Sequence, residues 1–557
     1  MNHDMRQNWN RLDGINLVLL AVIALFIRII YLYSYFENTP YAGQPLNDAL
    51  SYWEMSFRIY REGWLLSGDG PFYQAPLYPY LLAGLHYLGY HGVVEVLWWQ
   101  MGIGILNVLL TYMLARHYLN SRPAFAAALL FSFCHYTLFF EGKILATAAG
   151  ILLFLLFSNL FVRWLIFTRY GWLMGSALVL SLAVLCRPNL IFMLPLLGVL
   201  LIYKQYSDLG LPIRDIGRRW YGLIQPALIF TMLFFLGVVP VTLRNTVVGG
   251  DAVFISANSG VTLYMGTNEQ AQGGLGVVEG LSNNIADQHT GSIALASRLA
   301  GRNFSPSEAS SFWVRKTFDW VIHHPWKFVV LELKKMLWAL HAAPPAVNYS
   351  AHFESEFVSL HKVLRWFTLC SVAGGWAGMI LLFRRRRLAD WFLGSVLGGY
   401  VLLILVYYAS DRFLAAILPI TSILSLMFVQ WMRQVFRVKG FRSTPFIRGW
   451  MVFLIALVVA ANPWLGWNIR LEKGMGWYNL GVLQEQKQQV EQAQRSYENG
   501  LEVYPNFPPL LLNLGVLYAR QNRLEESTRL FERGLQLDPD HPVLLRNLEI
   551  NRQRMSG

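Results

Sequence analysis

Asp48, Glu141, Arg187, Arg244 and Arg412 each stand at the edge of an apolar run. Asp48 lies in "YAGQPLNDALSYWEMSFRIYREGW", a few residues after the first apolar run ends, on a segment rich in aromatics. A carboxylate held in such a place suits the removal of a proton from a hydroxyl. The plainer role is a helix cap, since Asp or Asn satisfies free N–H groups at a helix start, and Asn47 would fill that role equally well. Glu141, in "HYTLFFEGKILATAAG", lies at the expected outer junction of two spans, with Lys143 near enough in sequence to pair with it. Ionisable groups at membrane depth are costly and mark functional sites; the competing reading is an interfacial pair that reaches for water. Arg187 in "LCRPNL", Arg244 in "VTLRNTVVGGD" and Arg412 in "YYASDRFLAAILP" fall at expected outer helix ends. Positive charge there runs against the bias that keeps basic residues on the cytoplasmic side. Each therefore needs a carboxylate partner, Asp411 in the case of Arg412, or an anionic ligand such as a lipid phosphate that a guanidinium grips through two N–H groups.

The elements that position these residues belong to a membrane protein. Of 557 residues, 55% are hydrophobic and 14% charged, against about 25% charge in ordinary soluble domains. The net charge of +13, 46 basic against 33 acidic residues, does not point to nucleic acid. The basic residues sit in short runs between apolar segments, as cytoplasmic loops do: Arg384 to Arg387, and Lys204, Arg214, Arg218 and Arg219. Cys134, Cys186 and Cys370 lie in or beside apolar stretches without metal-ligand spacing and read as small core hydrophobes. The first run, from about Ile15 to Tyr35, is too long for a signal segment and lacks a cleavage site. It reads as a retained first helix with its N-terminus inside.

Candidate spans lie near 15–35, 96–115, 124–140, 144–165, 172–187, 189–203, 222–240, 363–383, 391–409, 413–432 and 449–467, about eleven by length and basic flanks. The stretch 76–90, "PLYPYLLAGLHYLGY", has no basic flank and reads as interfacial or re-entrant. The polar regions 36–95 and 241–362 then face outside, and an odd number of spans places the C-terminus outside as well. The loop "GGDAVFISANSGVTLYMGTNEQAQGG" lacks the Lys of a nucleotide-binding loop and offers amides and hydroxyls that suit a sugar. His135, His289, His323 and His324 show no ligand spacing.

After Trp467 the composition turns polar and helical in period, so the chain divides into a membrane domain, 1–470, and a tail, 471–557. Leu480 maps to Leu514, Gly481 to Gly515, Ala493 to Ser527, Tyr497 to Phe531 and Pro505 to Pro539, a spacing of 34 residues. This is the tetratricopeptide period, in which each repeat is a helix pair with small residues where the helices meet. Solenoids usually need about three repeats to stand alone. The tail is therefore expected to lean on the membrane domain or to end with 540–554 as a capping helix. The expected fold class is mainly α: a polytopic helical bundle with large outer loops and a C-terminal α-solenoid.

In order along the chain, Asp48 with Tyr52, "FYQAPLYPYLLAGLHYLGY", "FFEGKILATAAG", "LAVLCRPNL", "VTLRNTVVGGDAVFISANSGVTLYMGTN" and "DRFLAAILP" resemble the C-superfamily membrane glycosyltransferases. The likeness is to the bacterial branch related to protein O-mannosyltransferases and the aminoarabinose transferase of lipid A, and it covers roughly residues 15–435. The resemblance implies a polyprenyl-phosphate-linked sugar donor and transfer on the periplasmic side of a bacterial inner membrane, with the repeats periplasmic. It assigns Asp48 as general base, Glu141 as the second acid, and Arg187, Arg244, Arg412 and Lys143 to the donor phosphate. Tyr52, Tyr73, Gln74, Tyr78 and Asn268 become substrate contacts, although Gly266-Thr267-Asn268 stands where many relatives have Gly-Asn-Asn. A divalent metal, Mg or Mn, at Asp48 and Glu141 is compatible with the superfamily and is not demanded by the sequence. A protein or peptide acceptor would suit the repeats, because concave helical arrays bind extended chains.

Two other readings use the same scaffold. One is a polymerase or ligase of surface glycans with a lipid-linked oligosaccharide donor. The other is non-enzymatic, a transporter or assembly factor that recruits partners through its repeats. A transporter predicts inverted repeats and paired charges at the bilayer midplane; the sequence shows no such internal symmetry.

Overall fold

A computed structural model describes residues 9–209, 216–281, 285–385, 387–462 and 469–556; Arg214 and Arg386 of the basic runs lie outside them. Among the described residues the regular structure is helical, without strands. Long apolar runs dictate this, because in hydrocarbon every backbone N–H and C=O must be satisfied within the segment. Nine described helices are long and apolar enough to cross a membrane.

The first span is α1 (Arg11–Asn38), followed by two shorter helices, α2 (Asp48–Glu62) and α3 (Leu77–Tyr87). After the span α4 (Val93–Ala115), helices α5 (Ser121–Ser132) and α6 (His135–Glu141) form one apolar stretch bent by 55°. The span α7 (Thr147–Phe167) leads to the shorter α8 (Tyr170–Cys186). Pro188 ends α8, since the residue before a proline is driven to extended backbone; Arg187 has φ −141° and ψ 90°. A 3₁₀ turn, Pro188–Met193, runs into α9 (Leu194–Leu209), and α10 (Ile216–Val247) follows. The region between α10 and the next long span holds α11 (Ser259–Gly266), α12 (Ile285–Ala300), α13 (Pro306–His323), α14 (Pro325–Leu340) and α15 (Ala351–Glu354). The last spans are α16 (Leu360–Arg385), α17 (Leu388–Val406), α18 (Asp411–Lys439) and α19 (Thr444–Ala461).

Each expected span overlaps one or two of these helices, and residues 463–467 of the last lie outside the described residues; the eleven stretches correspond to the nine long helices, one bent pair and one shorter helix. The stretch 124–140 is a broken pair, and 172–187 is a helix of 17 residues, short for a hydrocarbon core of about 30 Å. The stretch 76–90 is the 11-residue α3, too short to cross.

Polar contacts join several of the helix ends. Asp13 accepts from Arg116 Nε at 2.6 Å and from the Ser121 hydroxyl at 2.6 Å, the Tyr118 hydroxyl donates to the Ala389 carbonyl at 2.9 Å, and Lys204 pairs with Asp208. Glu141, Thr147, Arg187, Arg244 and Arg412 stand at ends of α6, α7, α8, α10 and α18.

The chain forms two compact units. One comprises Met1–Tyr33, Gly43–Asn348 and Lys362–Leu465; the other comprises Ser34–Ala42, Tyr349–His361 and Gly466–Gly557. The second contains α15 and the helix pairs α20 (Ile469–Gln486) with α21 (Val490–Val503) and α22 (Pro508–Arg520) with α23 (Leu524–Leu537), then α24 (Pro542–Ser556). The repeat spacing is visible in its packing. A Cβ on Gly481 would lie 2.3 Å from the Tyr497 ring, and one on Gly515 would lie 2.4 Å from the Phe531 ring. Within this unit the array is closed at both ends. Leu544 of α24 packs over Gly534, and Phe353 of α15 fills the space left by Gly476 of α20.

Candidate active site

Asp48 opens α2 and is 8% exposed. Its carboxylate does not cap the helix. Oδ2 instead accepts from Arg412 Nη1 at 2.6 Å. Asn47, at the N-cap position, makes no side-chain cap bond and holds φ at 50° with ψ at −120°, a region that favours glycine. Such strain costs on the order of 1–3 kcal/mol and persists only where surrounding structure imposes it. Here it turns the chain so that Asp48 meets α18.

Arg187 lies beside this pair. Its Nη1 donates to the Thr147 hydroxyl at 3.0 Å, and its Nη2 lies 3.5 Å from the Arg412 carbonyl. Gly150, one turn into α7, makes room for it: a Cβ there would lie 2.6 Å from Arg187 Cγ. An apolar cavity runs from the Arg187 and Thr147 groups between Ile151, Phe154, Met193, Leu403, Phe413 and Ile417. Tyr52 and Tyr408 are buried against the Asp48, Arg187 and Arg412 charges. Burial pushes the Tyr52 phenol up, so it stays a protonated donor at neutral pH. A carboxylate, two guanidinium groups and an apolar cavity thus lie together, an arrangement able to hold an anion with an apolar tail and to accept a proton beside it.

Glu141 takes a different place. Its Oε1 accepts from Arg28 Nη2 at 2.8 Å, with the two side chains 2% and 0% exposed. Lys143, the expected partner, instead lies 3.5 Å from the Tyr31 hydroxyl and over the Phe139 ring. Gln100 braces the unwound segment after α6, donating to the Glu141 carbonyl at 3.0 Å and the Lys143 carbonyl at 2.6 Å. The same Gln100 accepts from the Tyr78 hydroxyl at 2.6 Å, and the Tyr78 ring meets Tyr52 edge-on at 5.4 Å. Tyr78 and Glu141 therefore reach the Asp48 centre through neighbours.

Arg244 and Asn268 are used elsewhere, whereas Tyr73 lies within reach of the Asp48 charge and Gln74 is held by α2. Arg244 gives Nε, Nη1 and Nη2 to the carbonyls of Leu65, Gly70 and Leu66 and lies over the Phe72 ring. It clamps the loop after α2, so its assignment to a donor phosphate is corrected. The Asn268 amide donates to the Tyr264 carbonyl and accepts from Gln270 N, which spends it on its own turn. Gln74 accepts from Ser51 at 2.8 Å, and Tyr73 stacks on His289 at 4.7 Å. Both carboxylates, Asp48 and Glu141, face guanidinium groups. Among the described residues no three His, Cys, Asp or Glu side chains converge on a point.

Sequence reasoning missed Arg28, Gln100, Thr147 and Tyr408. Arg28 alone carried a signal, as a single arginine inside the apolar run "LFIRII".

Residues 73–213 match the family model for dolichyl-phosphate-mannose-protein mannosyltransferase, and residues 485–548 match a tetratricopeptide repeat model. No curated protein matches the chain. Among solved structures the chain is similar to the archaeal oligosaccharyltransferase AglB from Archaeoglobus fulgidus in complex with an inhibitory peptide and a dolichol-phosphate, at 14% identity and TM-score 0.40, over 88% of this chain and 60% of that one. It is similar to the Archaeoglobus fulgidus oligosaccharyltransferase tethered with an acceptor peptide, at 13% identity and TM-score 0.44, over 86% and 58%. The same enzyme's complex with Zn and sulfate matches at 15% identity and TM-score 0.40, over 88% and 57%. The chain thus spans 57–60% of the length of these proteins. The chain is thus similar to the dolichyl-phosphate-mannose-protein mannosyltransferase family over residues 73–213 and to a tetratricopeptide repeat over residues 485–548.

Proposed function

We propose that this chain is an integral membrane glycosyltransferase that moves a sugar from a polyprenyl-phosphate donor to an acceptor hydroxyl on the periplasmic face of a bacterial inner membrane. One observation carries the reading. Arg187 stands at the mouth of an apolar cavity, with the Asp48–Arg412 pair directly beside it. A phosphate with an isoprenoid tail matches that chemistry, the tail between Phe154, Met193 and Ile417 and the anion at the guanidinium groups.

The reaction is a displacement at the anomeric carbon. Asp48 takes the proton of the acceptor hydroxyl, and that oxygen forms the new bond to the carbon. The bond from the carbon to the phosphate oxygen breaks, and its electron pair leaves on the polyprenyl phosphate, whose charge Arg187 and Arg412 meet. Configuration inverts. Arg412 occupies Asp48 Oδ2, which leaves Oδ1 to receive the proton. Glu141, enclosed with Arg28, holds the α6–α7 junction from which Thr147 and Arg187 are set. The repeats are assigned to a periplasmic protein or peptide acceptor.

Mass spectrometry of envelope proteins, lipids and polysaccharides tests this in cells with the wild-type chain, with none, and with Asp48→Asn. A glycoform present only with the wild-type chain is expected, and its mass increment distinguishes a hexose from a pentose. Unchanged glycoforms in cells lacking the chain would overturn the transferase reading. A wild-type level of product with Asp48→Asn would overturn the base alone.

A further inference from the structure

The outer helices α13 and α14 expose an apolar stripe that nothing in the catalytic reading uses. On α14, Trp326, Val330, Leu333 and Leu337 follow one another at helical spacing, and Trp326 is 79% exposed. Val329 and Met336 widen the stripe. It continues across His323-His324-Pro325 onto Ile322 and Phe318 of α13, also exposed. The opposite face of α14 is the packed one: Leu331, Lys335, Trp338 and Ala339 are buried.

Two bonds fix where this helix sits. Lys335 Nζ donates to the Leu405 carbonyl at 3.0 Å, at the C-terminal end of the span α17. Just after α14, Ala342 N donates to the Ala460 carbonyl at 2.9 Å, at the C-terminal end of the span α19. The helix is thus anchored where two spans leave the hydrocarbon, at the end that carries Arg412. The helix packs beside α19, which is itself little buried and whose Leu454, Ile455 and Val458 are exposed.

At 16 residues, α14 is about 24 Å long, short of a hydrocarbon core of about 30 Å. Lys327 and Lys334 flank the stripe, bonded to Glu269 and Gln272, and Arg315 and Lys316 stand on α13. A short helix with Trp and aliphatic residues on one side and lysines at its flank lies in the plane of a membrane interface. We propose that α14, with the end of α13, is embedded in the headgroup–acyl boundary of the bilayer that the spans cross, its occupant being lipid rather than a second protein. Its buried face then has a consequence for the site. Lys335 also bonds the Thr267 hydroxyl at 3.0 Å, and Gly266 packs on the Tyr407 carbonyl, where a Cβ would lie at 2.0 Å. Lipid contact on one side of α14 therefore sets the turn that braces Tyr407 and Tyr408 beside Arg412.

The test places a nitroxide at Trp326, Val330, Leu333 or Leu337 through single cysteines in the full-length chain. Exposed Cys370 is replaced by serine, and Cys134 and Cys186 are left buried. The protein is reconstituted in vesicles of equal parts phosphatidylethanolamine and phosphatidylglycerol, and collision with dissolved oxygen is compared with collision with a water-soluble nickel chelate. Melting temperature checks that each variant folds. A label at Arg302, on an exposed turn, gives the aqueous reference. Oxygen-to-nickel ratios several-fold above that reference at all four positions are expected. Ratios at the reference level would mean a solvated face, and low collision with both reagents would mean cover by protein; either result overturns the proposal.

Discussion

Arg412 Nη1 lies 2.6 Å from Asp48 Oδ2, across 364 residues of sequence. The carboxylate nearer in sequence, Asp411, turns back instead and accepts from Arg412 N at 2.8 Å and from the Ser410 hydroxyl at 3.1 Å. The guanidinium therefore crosses from α18 to α2 and joins the segment after α1 to the last third of the chain.

The pair separates structural from chemical contributions. Arg412→Gln leaves Asp48 without its cation in a largely buried place, and removing one partner of such a pair costs about 3–5 kcal/mol. Adding Asp48→Asn removes the stranded charge and should restore much of the lost melting temperature. Transfer should stay about 100- to 10,000-fold below wild type in the double variant, because the base is gone. Recovery of transfer together with stability would show the pair to be structural only.

Glu141 and Arg28 give the opposite expectation. Glu141→Gln strands a guanidinium that is fully enclosed, again at a cost of about 3–5 kcal/mol. The double replacement Glu141→Leu with Arg28→Met substitutes apolar contacts for both charges, and such exchanges are often neutral or stabilising. Its melting temperature should return near wild type, with transfer within about ten-fold of wild type, a loss near 1.4 kcal/mol or less. A folded double variant devoid of transfer would assign Glu141 a direct part in the chemistry.

The fold was largely legible because membrane spans are written in length and hydropathy, which need no partner to interpret. The 34-residue spacing was legible for a similar reason: Gly481 and Gly515 recur at a fixed interval, and each admits an aromatic ring of its own repeat. The break at Arg187 followed from Pro188 alone. The site was legible as single residues but not as pairs. Arg244 and Arg187 look alike in sequence, each a lone arginine at a helix end. Only the folded chain shows that three carbonyls of the loop 65–70 consume the first, while the second meets an apolar cavity. Glu141 was matched to Lys143 by proximity, whereas its partner came from α1, 113 residues away.

Outside the spans, Asp251 supplies a pH test of the region between α10 and α16. Burial alone would raise its carboxyl, but the Ser307 hydroxyl and amide, at 2.6 and 2.7 Å, outweigh burial and bring it below the usual range. With the folded value below the unfolded one, the contribution is fully present above about pH 4 and is lost as pH falls through the folded value. Asp251→Asn should melt lower than wild type at neutral pH, by the equivalent of about 1 kcal/mol. The two melting curves should converge as the pH drops below 4; a gap that widens on acidification would reverse the sign argued here.

The repeat unit offers a test of packing within its own boundaries. A methyl group on Gly515 must displace the Phe531 ring, and overpacking of this kind costs about 1–3 kcal/mol. Gly515→Ala should raise hydrogen exchange across α22 and α23 while leaving α7 and α18 protected. Phe531→Leu in the same chain shortens the side chain that the methyl strikes, so the double variant should regain protection over either single change. Gly481→Ala should behave alike against Tyr497 if the two sites are equivalent positions of one repeat. Exchange that rises at Gly515→Ala but not at Gly481→Ala would break the equivalence that the spacing implies.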